Sequence, residues 1–552
     1  MTIRNPCAAR VGVAPASAAL LVLALAVVPS GPAPAQRPSP PDAAPAAFEV
    51  EEATVAELQA AMQAGRLTAR RLVDLYLARI ESFDRRGPSL RQVLETNPEA
   101  ASIAEALDAE RRTRGPRGPL HGIPVLLKDN IATADRLTTT AGSLALEGSR
   151  PPRDAFLVER LRAAGAIVLG KTNMSEWANF RSSQSTSGWS ARGGQGRNPY
   201  ALDRSPCGSS SGTGAAIAAN FAAVGVGTET DGSIVCPAAF NALVGIKPTL
   251  GLVSRGGVIP IAHSQDTAGP MTRTVADAAV LLGVLAGADP HDPPTAAART
   301  RAAADYTKFL DANALAGARI GVARNRLFGH HQATDRLAEQ AIAVMKAKGA
   351  IIVDPADIPH LGAYDDSELE VLMYEFKADL EAYLATLGPD APVKSLRAII
   401  EFNEKHRDRE MPFFGQDILH EAQTKGSLTT PAYRRALARN RRLARAGLDA
   451  VMVKHRLDAL IAPTMEKPAW VIDLINGDPP GAGSARPPAV AGYPHVTVPM
   501  GFVRGLPVGL SFIGRAWSEP RLIALAHAFE QATRHRKPPR FRPTAEPSLD
   551  AR

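Results

Sequence analysis

SPCGSSSGTGAAIAANFAAVGVGTETDGSIVCPAA, residues 205–239, is the stretch on which the reading of the chain turns. It holds a helical run, Ala215–Phe221, and a strand-like run, Ala223–Gly227. Gly, Ser and Thr remain dense from Ser205 to Pro270, where Leu243–Ile246 supplies a further strand-like run. A compact domain seldom carries so long a bland loop. A backbone that bends closely around something explains the glycines better. Asp231-Gly232 marks a tight turn just before Ser233. A serine presented there, with the backbone N–H groups of Thr230, Asp231, Gly232 and Ser233 around it, suits an acyl-transfer nucleophile and its oxyanion. Taken alone, the piece also fits an ordinary strand-to-helix turn.

Upstream, Gly208–Gly212 matches G-x-S-x-G with Ser210 at its centre. A nucleophile elbow of that kind needs a strand directly before it. The preceding NPYALDRSP is turn-rich with two prolines. A phosphate loop needs Lys after its last glycine, and Thr213-Gly214-Ala215 has none. Further back, GIPVLLKDNI (residues 122–131) ends an apolar run on Lys128. A lysine in a buried strand loses solvation, its pKa falls toward neutrality, and the free amine becomes a general base. The alternatives are a lysine that snorkels to water or pairs with Asp129.

Around these pieces, short apolar runs alternate with helical ones: Val125–Leu127, Phe156–Ala164, Ala166–Leu169. Such alternation predicts strands linked by crossover helices. Thr54 and Thr68 predict caps for helices over 55–64 and 69–83, and Asn97-Pro98-Glu99 predicts a third helix with Pro at its first position. Residues 295–450 read as mostly helical, with strand-like Ile320–Ala323 and Ile351–Val353. The chain returns to strands from Ala459 and closes on a helix, Glu519–Thr533.

The 552 residues are 45% apolar and 21% charged, ample for a core. Arg4 and Arg10 precede an eleven-residue apolar run, Ala18–Val28, and Ala33-Pro34-Ala35 follows. That is the pattern of a secretory signal peptide, with cleavage expected after Ala35 and a periplasmic or secreted product. Eleven apolar residues are too few to cross a bilayer. Residues 36–47 read as a disordered Pro/Ala-rich linker, and 48–545 as the globular domain. Formal charge is +8, two of it from the signal segment. The basic run Arg434, Arg435, Arg439, Arg441, Arg442 and Arg445 lies in a helical pattern without a stacking platform, which reads as a solvated face and not a nucleic-acid stripe. Cys207 and Cys236 would remain after cleavage, and their spacing leaves pairing open. His330-His331 and His495 lack metal-ligand patterns, so no metal or cofactor is implied.

Lys128, the Ser209 run and the Ser233 turn together resemble the amidase signature family. The 24 positions from Ser209 to Ser233 match the family's two serines. LGKTNMSEWA (169–178), LVGIKPT (243–249), SQDTAGPMTRTVADAA (264–279), AGYPHVTVPMG and GLPVGLSFIGR extend the match over about 50–535, with the signature core at about 120–290. The resemblance implies a single large α/β/α sandwich with a mixed central β-sheet. It also implies a Ser–Ser–Lys triad of Ser233, Ser209 and Lys128 with Ser209 on a cis peptide bond, Ser210 in support, and oxyanion donors at Thr230, Asp231, Gly232 and Ser233. The activity implied is hydrolysis of a carboxylic amide C–N bond through an acyl-enzyme, on a peptide or small-molecule substrate. Specificity is expected from the helical region, about 295–450. The family's usual Arg after Ser-Ile is Val235 here, and Asp231 replaces a common glycine. Both features, with TETDGSIVCPAA, resemble the bacterial peptide amidases, which remove C-terminal amides. The competing readings are an ammonia-delivering amidotransferase subunit, which an export signal opposes, an α/β-hydrolase-type esterase using Ser210, and a catalytically silent binding protein.

Overall fold

Short runs of three to nine residues become strands of one sheet in the computed structural model, which describes residues 48–389, 391–481 and 483–547. The expected signal peptide and linker, residues 1–47, lie outside the described residues. In chain order the strands are β1 (Val93–Thr96), β2 (Pro124–Lys128), β3 (Ile167–Thr172), β4 (Val224–Glu229), β5 (Val244–Lys247), β6 (Thr267–Thr272), β7 (Arg319–Val322), β8 (Ile351–Val353), β9 (Ala459–Pro463), β10 (His495–Val503) and β11 (Leu506–Ile513). They lie side by side as β1-β3-β2-β4-β6-β5-β10-β11-β9-β7-β8. β2 runs parallel to both β3 and β4, and β7 parallel to β8 and β9; the remaining pairs are antiparallel. The sheet is mixed, as the resemblance implies.

Every residue of β2, β3, β4, β5, β6, β9 and β11 is buried. Side chains alternate between faces along a strand, so uniform burial means that both faces are covered. Helices Ser211–Ala218, Val235–Phe240, Val275–Leu285 and Glu519–Thr533 pack against the strands. The result is an α/β/α sandwich. A second apolar cluster joins Phe376 and Leu380 of helix Asp365–Thr386 with Leu396, Ile399 and Leu419, and extends to Trp177 and Ile261. The helical region therefore sits on loops that surround the ends of β2 and β4.

Local chemistry sets the element ends. Thr54 caps Val55–Gln63 in a reciprocal box with Glu57, and Thr68 caps Ala69–Arg79, which continues as a wider turn through Arg85. The third helix begins at Ala100, later than its Pro98 suggests. Asn97 Oδ1 accepts the N–H of Glu99 and holds Pro98 in a turn ahead of the helix. The expected helix over 215–221 instead spans Ser211–Ala218, because Asn220 takes a left-handed φ of 61° and ends it. β6 escapes sequence reading since Gly269-Pro270 argues against a central strand. In helix Pro431–His455 all six arginines of the basic run are exposed, while Tyr433 is buried and Leu437 and Leu443 are half-buried.

Cys207 and Cys236 form a disulfide with their Cα atoms 5.9 Å apart, packed among Phe240, Met465 and Ala469. It joins the segment just before Ser209 to the helix just after Ser233. Closing a loop of this length restricts the unfolded chain by about 3–4 kcal/mol. Reduction, or the Cys207→Ala/Cys236→Ala pair, is expected to lower the unfolding free energy by about that amount in urea titrations. An unchanged midpoint would contradict a formed crosslink.

Candidate active site

β2 and β4 are neighbouring parallel strands, and their C-terminal ends carry Lys128 and the Thr228–Glu229 pair. In open α/β sheets, clefts form at this edge. Lys128 is fully buried, and its Nζ lies 2.8 Å from Ser209 Oγ, 2.9 Å from Thr228 Oγ1 and 3.2 Å from Thr228 O. The amine neither reaches water nor pairs with Asp129. Asp129 binds Thr140, the N–H of Gly142 and Arg192 instead. Burial pulls the Lys128 pKa down to about 7, against the carboxylates of Asp266 and Glu229, which act to raise it. A neutral amine fits the three partners: it donates to Thr228 O and one hydroxyl, and accepts from the other.

Ser209 follows a cis Gly208–Ser209 peptide bond, and its carbonyl accepts the N–H of Ser175. Ser210 is fully buried and serves the scaffold. Its Oγ donates to Thr228 O at 3.0 Å and accepts Thr228 N–H at 3.2 Å, while its N–H donates to Ser233 O at 3.1 Å. Gly227 makes this approach possible, since a Cβ there would lie 2.8 Å from Ser210 Oγ. No strand leads into Ser210 among the described residues, so the elbow geometry that G-x-S-x-G requires is absent.

The turn after β4 is held from both sides. Glu229 Oε2 accepts the N–H groups of Ile234 and Val235, at 2.7 and 3.0 Å, and fixes the start of the following helix. Thr230 Oγ1 donates to Asp266 Oδ1 at 2.5 Å. Asp266, pushed up to about 6 by burial, also accepts the N–H groups of Ile261 and Ala262. Between these anchors, the N–H groups of Thr230, Asp231, Gly232 and Ser233 have no acceptor among the described residues. Gly232 takes φ +80°, which a larger residue adopts only under strain. Ser233 is 8% exposed, and its hydroxyl has no hydrogen bond within the described residues. Ser209 and Ser233 are thus linked through backbone, Ser210 N to Ser233 O, while the Lys128 contact is made by side chains.

A cavity of about 10 Å³ beside Ser209, Thr228 and Asp266 has room for about one water. A wider cleft of about 490 Å³ opens next to the turn, lined by Leu327, Leu361, Asp365, Met465, Trp470 and Arg486. Its 327–365 wall comes from the region where specificity was expected. Its other wall, 465–487, does not; that wall is largely an irregular loop without periodicity to flag it. Sequence reading also missed Thr228, Glu229 and Asp266.

The chain matches the Amidase family model over residues 71–523. A probable amidase of Arabidopsis thaliana is 42% identical over 505 residues, 90% of this chain and 92% of that protein. A glutamyl-tRNA(Gln) amidotransferase subunit from Chloroflexus aurantiacus is 37% identical over 503 residues, 89% of this chain and 99% of that protein. The crystal structure of native peptide amidase from Stenotrophomonas maltophilia superposes with a TM-score of 0.85 at 54% identity, covering 89% of this chain and 99% of that one. A match of this extent, over this fold, means that the chain belongs to the amidase (amidase signature) family and is an enzyme that hydrolyses amide C–N bonds.

Proposed function

We propose that Ser233 is the nucleophile, Ser209 the proton relay and Lys128 the base, and that the substrate is the C-terminal carboxamide of a peptide. Ser233 Oγ attacks the amide carbon as its proton passes to Ser209 and the Ser209 proton passes to neutral Lys128. The negative oxygen of the tetrahedral intermediate takes hydrogen bonds from the free N–H groups of the 230–233 turn. On collapse the C–N bond breaks, Lys128 returns its proton through Ser209 to the nitrogen, and ammonia leaves. Water then attacks the acyl-enzyme by the same relay in reverse and frees the carboxylate and Ser233. The single observation that carries this reading is a buried amine, with its pKa near 7, at 2.8 Å from Ser209 Oγ.

The peptide carboxamide is favoured by TETDGSIVCPAA, by 54% identity to a peptide amidase, and by a cleft large enough for several residues. Export is favoured by the residue pattern of 1–35 and by the buried disulfide, since disulfides persist in oxidising compartments.

Ser233→Ala is expected to cut kcat/KM by about 10⁴-fold or more, and Ser209→Ala or Lys128→Met by about 10²–10⁴-fold. Wild-type activity in Ser233→Ala with loss in Ser210→Ala would favour the elbow instead. The base must be neutral, so kcat/KM should fall tenfold per pH unit below about 7 and level off above it. In an ammonia-release panel, peptide carboxamides should exceed short aliphatic, aryl and fatty amides by at least about tenfold in kcat/KM; parity would refute the substrate assignment. Protein recovered from an exporting host should begin at Gln36, and a mature product retaining Met1 would refute export.

A further inference from the structure

Arg486 opens the helix Arg486–Ala491, and its guanidinium meets three carboxylates: Glu368 at 2.8 Å, Asp231 at 3.1 Å and Asp365 at 3.3 Å. Asp365 and Glu368 lie in the first turn of helix Asp365–Thr386, across the cleft. Asp231 lies within the turn that carries Ser233. The neighbouring Ala485 is in contact distance of that turn, 3.4 Å from where a Cβ on Gly232 would stand. The other titratable groups around Asp231 are Glu229 on β4, Lys247 on β5 and Tyr364 ahead of the long helix. Lys247 hydrogen-bonds Pro488 O. Among the described residues, Arg486 is the cation in direct contact with Asp231, through Oδ2, while the buried Oδ1 has no partner.

A carboxylate two residues before the nucleophile presents a difficulty. Its own N–H belongs to the donor set that would receive the oxyanion, and its negative charge would oppose that oxyanion at short range. The family's common glycine at this position avoids the conflict; this chain has to neutralise it. We propose that Arg486 is a positioning residue for the oxyanion turn: it holds the Asp231 side chain toward the cleft wall and cancels its charge, so that the 231–233 N–H groups act without an opposing anion. This rests on the reading of Ser233 as nucleophile. Glu368, whose pKa is raised by burial and then by the charge of Asp231, shares the same guanidinium.

The test compares Arg486→Gln, Asp231→Asn and the double variant, with Ser233→Ala alongside, in steady-state hydrolysis of a peptide carboxamide from pH 6 to 10. Arg486→Gln is expected to lower kcat about 10–100-fold with KM changed less than about threefold, and to fall further behind the wild type as pH rises. Asp231→Asn should restore the double variant to within about threefold of the Asp231→Asn single variant, a repair that lost packing alone does not predict. If Arg486→Gln fails to fold, the Asp231→Asn comparison with the double variant still decides. Wild-type kcat in Arg486→Gln, or a double variant as slow as Arg486→Gln, would overturn the proposal. Turnover in Ser233→Ala would instead refute the site reading on which it rests.

Discussion

A lysine amine sealed from water is the constraint from which the site is built. Lys128 ends a strand that is buried on both faces, so its ammonium form has no hydration to fall back on. What surrounds it is a carbonyl and two hydroxyls, not a contacting carboxylate. Such a set accommodates the neutral amine, whereas protonation in this setting costs several kcal/mol. Asp266 and Glu229 supply negative charge nearby, but each is committed to backbone N–H groups. Their commitment matters: a carboxylate moved into direct contact would hold the proton on Lys128 and remove the base.

The remainder of the site fixes how two loops approach that amine. Ser210 stitches the turn of β4 to the Ser209 loop through Thr228 and through Ser233 O. The Cys207–Cys236 crosslink ties the same two loops from their far ends. Glu229 and Asp266 hold the flanks of the turn, which leaves its middle N–H groups without acceptors among the described residues. Unpaired donors at a near-closed site are costly unless a ligand meets them. A fold that spends so many interactions around four free N–H groups is suited to stabilising a negative oxygen there, and family membership and geometry agree on amide hydrolysis.

Much of this was legible in the residues, for physical reasons. A lysine ending an apolar run is a conflict visible in one strand, and Asp-Gly before serine is a turn signal wherever it occurs. The large sandwich and the choice of Ser209 over Ser210 came from the resemblance, since G-x-S-x-G by itself points to Ser210, which no strand leads into among the described residues. What escaped has partners far away in the chain. Thr228 is an ordinary β-former until Lys128, 100 positions earlier, is folded against it. Asp266 meets Thr230 across 36 positions, and Arg486 meets Asp231 across 255. No local periodicity encodes such pairs. β6 was hidden by its own Gly-Pro, and the far wall of the cleft by its irregular backbone.

With its pKa pulled down to about 7, Lys128 is predominantly a free amine slightly above neutrality. NMR of the enzyme with ¹³Cε-labelled lysine, followed through pH with the signal assigned by Lys128→Met, measures this directly. One lysine resonance, missing in the variant, is expected to titrate near pH 7. A Lys128 resonance that stays protonated above about pH 9.5 would contradict it.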